Sequence, residues 1–188
     1  MIDHFGQSTP SVAVERLSAF RGPDLNDLCD AAEAAIEDGG GFGWLRPPTR
    51  ETMEAYWKGT LLIPGKVLFV ARLDGTIAGS AQLQRPPRNN EAQASTGTLT
   101  TFFLAPWSRG HGLARMLVEV VADAAREDGL SVLNLDVRES QERAIQIYEQ
   151  LGFQRWGIHP RYALVKGQWM KGYYYSKDLA DLSDLPNT

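Results

Sequence analysis

The 188-residue chain predicts a mixed α/β sheet with helices on both faces. Two observations carry that expectation. In the first half, two extended apolar runs flank Asp74-Gly75, the signal of a tight hairpin, so they should be antiparallel neighbours. In the second half, extended TGTLTTFFLAP, a run of apolar residues at helical spacing and extended SVLNLDV follow one another. A strand–helix–strand passage of that kind is a right-handed crossover that sets two strands parallel.

Each element has its own signal. SVAVERLSAF, residues 11–20, alternates apolar and polar and reads as a strand. Asp24 is placed to cap a helix with Leu25, Leu28, Cys29, Ala32 and Ile36 on one face, ended by the glycines at 39–41. GFGWLRPP is a loop with aromatic residues. Thr49 then opens a second helix with Met53, Tyr56 and Trp57 together. KVLFVARL (66–73) is an apolar strand, TIAGSAQLQ its hairpin partner and RPPRNNEAQ a loop. TGTLTTFFLAP runs until Pro106 stops it. Leu113, Leu117, Val120, Val121 and Ala124 recur at i, i+4, i+7, i+8 and i+11, and Gly129 ends that helix. In SVLNLDV, Leu133, Leu135 and Val137 face one way and Val132, Asn134 and Asp136 the other. A short helix from about 141 to 151 groups Ala144, Ile147, Tyr148 and Leu151, and residues 153–179 divide into two strands. The whole, 1–188, is expected to be a single domain with flexible ends at about 1–10 and 180–188.

Composition removes several classes. At 43% hydrophobic and 22% charged the chain is ordinarily globular. A chain this long buries about 70% of its unfolded surface, enough for a core without staples. One cysteine, Cys29, makes neither an intrachain disulfide nor a cysteine-based metal site, so no metal is expected. The N-terminus lacks the apolar run of a signal peptide, and no stretch approaches the roughly 18 apolar residues of a membrane span. A cytoplasmic protein without a membrane partner is therefore expected, and the net charge of −4 argues against a nucleic-acid partner. That charge is uneven. Residues 75–118 hold Arg85, Arg88, Arg109 and Arg115 against Glu91 alone, +3, which leaves −7 for the rest. A local basic segment in an acidic chain suggests an anionic ligand.

Arg109-Gly110-His111-Gly112-Leu113-Ala114-Arg115 lies in that segment, between a strand and a helix. Its glycines let a ligand approach the main chain, and the first amides of the helix point outward without intrahelical partners. With the helix dipole they form a phosphate site. Two phosphate motifs fail here: there is no Lys between Lys66 and Lys166 for a P-loop, and Arg115 takes the third glycine position of a dinucleotide fingerprint. R-x-x-G-x-A, as Arg109, Gly112 and Ala114, does fit.

That pattern after a strand resembles the pyrophosphate motif of the GNAT superfamily, the acetyl-CoA-dependent N-acetyltransferases. AIQIYEQLGF, residues 144–153, is similar to a second block of the same family, at the right distance. The resemblance is specific over roughly residues 66–155 and rests on element order elsewhere. It implies a parallel strand pair splayed to hold CoA, with the pantetheine arm against Phe103 and Leu104. Pyrophosphate would sit on Arg109 through Arg115, with His111 in secondary contact. Tyr148 would be the acid that protonates the departing thiolate, a role a phenol of ordinary pKa about 10 can fill at neutral pH. Gln141 stands where the family often has Asn, bonding the CoA arm or opening the helix, though Gln caps a helix poorly.

The implied reaction is direct transfer of acetyl to a primary amine of a small molecule or peptide, and many relatives dimerise, which leaves a homodimer open. The alternative is a non-catalytic acyl-CoA sensor, because the strand before the loop lacks the carboxylate many members carry there. A base for an alkylammonium, about one part in 10³ neutral at pH 7, could instead be Asp136 or Glu139. His159 and Glu91 are further candidates, as is a substrate that arrives neutral. Trp44, Gln82 and Arg138 are candidate acceptor contacts, with core packing, solvent exposure and a surface ion pair as their respective alternatives.

Overall fold

In a computed structural model, which describes residues 9–40 and 42–180, the seven strands are β1 (Val12–Leu17), β2 (Lys66–Leu73), β3 (Thr76–Gln84), β4 (Thr96–Leu104), β5 (Val132–Arg138), β6 (Gln154–Val165) and β7 (Gln168–Asp178). They form one sheet in the order β1-β2-β3-β4-β5-β7-β6. Every pairing is antiparallel except β4 with β5. Helices α1 (Asp24–Glu37) and α2 (Arg50–Thr60) precede β2, α3 (Leu113–Glu127) joins β4 to β5, and α4 (Glu142–Gln150) joins β5 to β6. The element order, the hairpin at Asp74-Gly75 and the parallel crossover all agree with the sequence expectation.

Two cores flank the sheet. On one face α3 contributes Leu113, Leu117, Val118 and Val121, and α4 contributes Tyr148, all against Leu83, Leu99, Leu133 and Leu135. On the other, Leu28, Ala32 and Ile36 of α1 and Met53 and Trp57 of α2 pack on Leu68, Val70, Ile77 and Phe103. The second core draws on β1–β4 and holds no residue of β5, β6 or β7. Helices therefore cover both faces at the centre, while among the described residues no helix covers one face of the last three strands.

Some local expectations change. Asp24 does not cap α1: Pro23 is the N-cap, and Asp24 is the first helical residue. Its carboxylate accepts from the Arg21 amide at 3.0 Å and pairs with Arg72 at 2.8 Å. That carboxylate is committed to half-buried Arg72 and to the amide before the helix rather than to a capping bond. Thr49 does cap α2, accepting from the Thr52 amide at 3.3 Å, a contact of about 1 kcal/mol. The first strand covers 12–17, within the expected 11–20. Most of both expected flexible ends, residues 1–8 and 181–188, and Gly41 lie outside the described residues. No helix among the described residues is long and apolar enough to cross a membrane.

Candidate active site

β4 leaves the regular ladder on both its sides. Against β5 it pairs only over Thr96–Thr98 with Val132–Asn134, so Leu99–Leu104 and Leu135–Arg138 diverge. Against β3 it bulges: Thr101 and Phe102 lie between the Gln82–Thr100 and Ser80–Phe103 pairs, where β3 has only Ala81. Thr101 sits at φ 51°, uncommon for a β-branched residue and worth roughly 1–3 kcal/mol of strain. Ser80 Oγ donates to its carbonyl at 3.5 Å, and Tyr56 Oη lies 3.4 Å from its hydroxyl. The divergence opens a gap edged by unpaired backbone, which an extended arm can join as an added strand does. Phe103 turns its ring away from the gap, stacked on Phe42 at 4.8 Å and buried, so it offers the arm its backbone alone. Leu104 is half-buried against the opposite core.

At the end of β4 the chain makes a turn over Pro106–Ser108 and enters α3. Gly112 is the N-cap at φ 78°, with no side-chain cap. That backbone requires glycine, and it leaves the amides of Leu113, Ala114 and Arg115 without intrahelical acceptors. A Cβ built on Gly110 or Gly112 would meet nothing within 4 Å, so the approach to these amides is open. Arg109 reaches over the loop to Asp38, Nη2 to Oδ2 2.5 Å. His111 turns back on the loop, its Nδ1 3.2 Å from the Ser108 carbonyl. Arg115 is exposed and pairs with Glu119 at 2.9 Å.

Asp38 and Gly39 tie this loop to the far lip of the gap. The Gly39 carbonyl accepts from Gln141 Nε2 at 2.8 Å and from Arg138 Nη2 at 3.2 Å. Gln141 is the N-cap of α4 but gives it no side-chain bond. Its amide is thus spent on α1's end rather than on the helix. Arg138 likewise braces that loop.

Tyr148 enters the site from α4, 3% exposed, with ring centroids of Phe102, Phe153 and Tyr175 at 5.6, 5.7 and 6.4 Å. Burial pushes its phenol well above the ordinary tyrosine pKa, helped by the nearby Asp136 and Tyr162. A phenol so placed stays protonated and can donate. Tyr162 of β6 donates its hydroxyl to Asp136 Oδ2. Burial raises this phenol too, followed by its bond to Asp136. Of the four proposed bases, only Asp136 acts electrostatically on the Tyr148 phenol. Glu139 accepts from the Lys171 amide at 3.0 Å, holding the end of β5 to β7. His159 accepts from the Arg161 amide at 3.1 Å on the exposed β6. Glu91 lies in a turn before β4 begins, at the opposite end of that strand from Leu104.

Trp44 is half-buried, its ring 5.4 Å from Phe42 and 5.0 Å from Tyr56. Gln82 is fully buried, which overturns the solvent-facing alternative, and neither amide atom has a partner among the described residues. Its cross-strand neighbour Thr100 has an equally unpartnered hydroxyl. Buried polar atoms of this kind are costly unless a ligand or water completes them. Tyr162 is the site residue that sequence reasoning missed. Arg85, by contrast, does not serve the site: it holds Asp128 with two bonds of 2.6 and 2.9 Å. Asp128 ends the 15-residue α3, about 22 Å along its axis from the loop.

The model of the acetyltransferase (GNAT) family matches residues 29–153. The chain is 62% identical over 132 residues to an uncharacterized N-acetyltransferase in the hisH–hisA intergenic region of Azospirillum brasilense, covering 70% of this chain and 79% of that protein. It is 32% identical over 113 residues to the N-alpha-acetyltransferase RimI of Mycobacterium tuberculosis, covering 60% and 66%. Among solved structures, an N-acetyltransferase from Staphylococcus aureus Mu50 superposes with a TM-score of 0.76 at 19% identity, over 90% of this chain and 99% of the other. The yncA structure from Salmonella typhimurium, solved with its cofactor acetyl-CoA, gives 0.71 at 19% identity, over 94% and 98%.

Proposed function

The chain belongs to the GNAT acetyltransferase family, and we propose that it is a single-domain enzyme that moves acetyl from acetyl-CoA directly to a primary amine of a small molecule or peptide. One observation carries the reading: the unpaired stretch of β4 and β5 opens beside the uncapped, accessible N-terminus of α3. An extended arm with a pyrophosphate at one end fits both at once. The backbone of Phe103 and Leu104 pairs with the arm, and the amides of Leu113, Ala114 and Arg115 take the phosphates, with Arg109 adding charge.

Tyr148 and Asp136 divide the proton work. Asp136 accepts the proton that the attacking ammonium must lose. The amine nitrogen bonds to the thioester carbon, the carbon–sulfur bond breaks, and Tyr148 gives its proton to the departing thiolate. The nitrogen's second proton leaves to solvent as the amide forms, Asp136 releases its proton to solvent, and solvent returns one to Tyr148. A carboxylate at the diverging edge of β5, held by Tyr162, and a buried, protonated phenol at Tyr148 favour this catalytic reading over a sensor that only binds acyl-CoA. The test is acetyl-CoA with a panel of primary amines, read as CoA release and as acetylated product by mass spectrometry. CoA binding without turnover across the panel would support the sensor instead.

Asp136→Asn is expected to cut kcat/KM about 10²-fold at neutral pH. The loss should shrink as pH rises toward the amine's own pKa of about 10, where the neutral amine needs no base. A deficit that is flat across the pH profile would remove Asp136 from this role. Asp38 competes with phosphate for Arg109. Both side chains are over a third exposed, so their pair is worth at most about 1 kcal/mol. Asp38→Asn should therefore lower the KM for acetyl-CoA by no more than about fivefold, and a raised KM would mean that Asp38 helps binding.

A further inference from the structure

Asp136 opens onto a surface with its own construction. Register pairs Asp136 with Tyr174 of β7, and Tyr174 with Gly157 of β6, so the three share one face of the sheet. It is the face opposite Leu135 and Val137, which pack in the core of α3 and α4. The α1–α2 core does not extend over these strands. Three rings run across the face. Trp156 lies 5.4 Å from Tyr174, Tyr174 lies 6.2 Å edge-on from Tyr162, and the Tyr162 hydroxyl ends the row on Asp136.

Two local features set the row. β6 inserts Pro160, Arg161 and Tyr162 where β7 has only Lys171, and this bulge lifts Tyr162 across the neighbouring strand. Gly172 lies beneath it, and a Cβ there would overlap the Tyr162 ring. The far end of the row is open, with Trp156 66% exposed. Tyr162 occupies Oδ2 of Asp136, and a carboxylate has acceptor capacity for more than one donor. A cation bound there would also lie against aromatic rings, which attract it through their negative faces.

We propose that this row is the acceptor surface, and that it selects primary amines carried on a flat apolar body, such as an arylalkylamine. The ammonium sits on Asp136, in the stretch of β5 that diverges from β4, and the body lies across Tyr174 and Trp156. The assignment rests on the acetyltransferase reading and names the class of its second substrate. Charge complementarity at Asp136 and its place on the edge of the gap between β4 and β5 favour a small amine over a second copy of the chain as the occupant.

The test compares 2-phenylethylamine, ethylamine and an alanine-initiated peptide as acceptors at saturating acetyl-CoA, in the wild type and in Trp156→Ala. Light scattering follows the oligomeric state, and calorimetry follows acetyl-CoA affinity. The expected kcat/KM for phenylethylamine exceeds that for ethylamine by about tenfold or more, the scale of one good aromatic contact. Trp156→Ala should bring the two within about twofold, chiefly through KM for the aromatic amine, with acetyl-CoA affinity retained. Parity in the wild type, preference for the peptide, or a ratio that survives Trp156→Ala overturns the proposal, and so does a variant that changes only oligomeric state. Acetyl-CoA binding with none of the three amines acetylated overturns it as well. Failure to bind acetyl-CoA would strike the acetyltransferase reading instead.

Discussion

Tyr148→Phe is expected to lower kcat by about 10²-fold or more while KM for acetyl-CoA stays within about twofold, because the change removes a proton donor and little else. The ring is held by Phe102, Phe153 and Tyr175, and phenylalanine keeps those contacts. No hydrogen bond contributes to the raised pKa, which comes first from burial and then from Asp136 and Tyr162. The lost hydroxyl therefore leaves no buried partner unsatisfied, and the stability cost should be small. Since the folded phenol ionises above the ordinary tyrosine value of about 10, kcat in the wild type should show no falling limb from Tyr148 where a free tyrosine loses its proton. Steady-state kinetics with acetyl-CoA saturating check both points. Turnover at the wild-type level would return Tyr148 to the core as a packing residue and leave water to protonate the thiolate.

The sequence carried the elements more completely than the site. Hydrophobic period separates strands from helices here because α3 keeps a clean apolar stripe and β5 strictly alternates buried with less buried residues. The glycines around Arg109 mark the loop, since a backbone at φ 78° tolerates little else at Gly112. What was not legible depends on tertiary contact. Nothing at Thr101 announces a bulge: β-branched residues favour strands, and its positive φ accompanies tertiary contacts from Tyr56 and Ser80. The choice of Asp136 among four bases needed the fold, because it turns on which carboxylate meets the open end of the gap. Tyr162 had a faint signal. Pro160 inside a strand marks an edge or a bulge, and Gly172 opposite it marks a close approach. Both lie beyond residue 155, where the family motifs end, and no local rule says that the displaced tyrosine lands on a carboxylate two strands away.

Gly79→Ala is expected to destabilise the fold by about 3 kcal/mol, at the upper end of overpacking costs, and to raise KM for acetyl-CoA as well. Gly79 faces Leu104 across the β3–β4 ladder. A Cβ there would overlap the Phe103 carbonyl oxygen and come within 2.9 Å of the Leu104 Cα. Both obstacles are backbone, so neither can rotate aside; the strands must move apart. The same short stretch of β3 anchors the exit of β4, because the Ala78 carbonyl accepts from the Ala105 amide at 2.8 Å and from Ser108 Oγ at 3.4 Å. Displacing β4 therefore disturbs both the backbone that edges the gap and the turn leading to the phosphate loop. For a chain of this size the stability loss corresponds to a Tm lower by roughly 6–12 °C. Gly59→Ala supplies the opposite sign. Gly59 lies within α2, and its added methyl would meet nothing within 4 Å, so relief of helix-glycine entropy should stabilise by about 0.5–1 kcal/mol. One substitution type thus separates close approach from chain flexibility. Thermal melts in which both variants fall equally would mean that β3 and β4 yield to the methyl at little cost. In that event the width of the gap at Leu104 would have to be set by α3 and the Pro106–Ser108 turn rather than by the contact at Gly79.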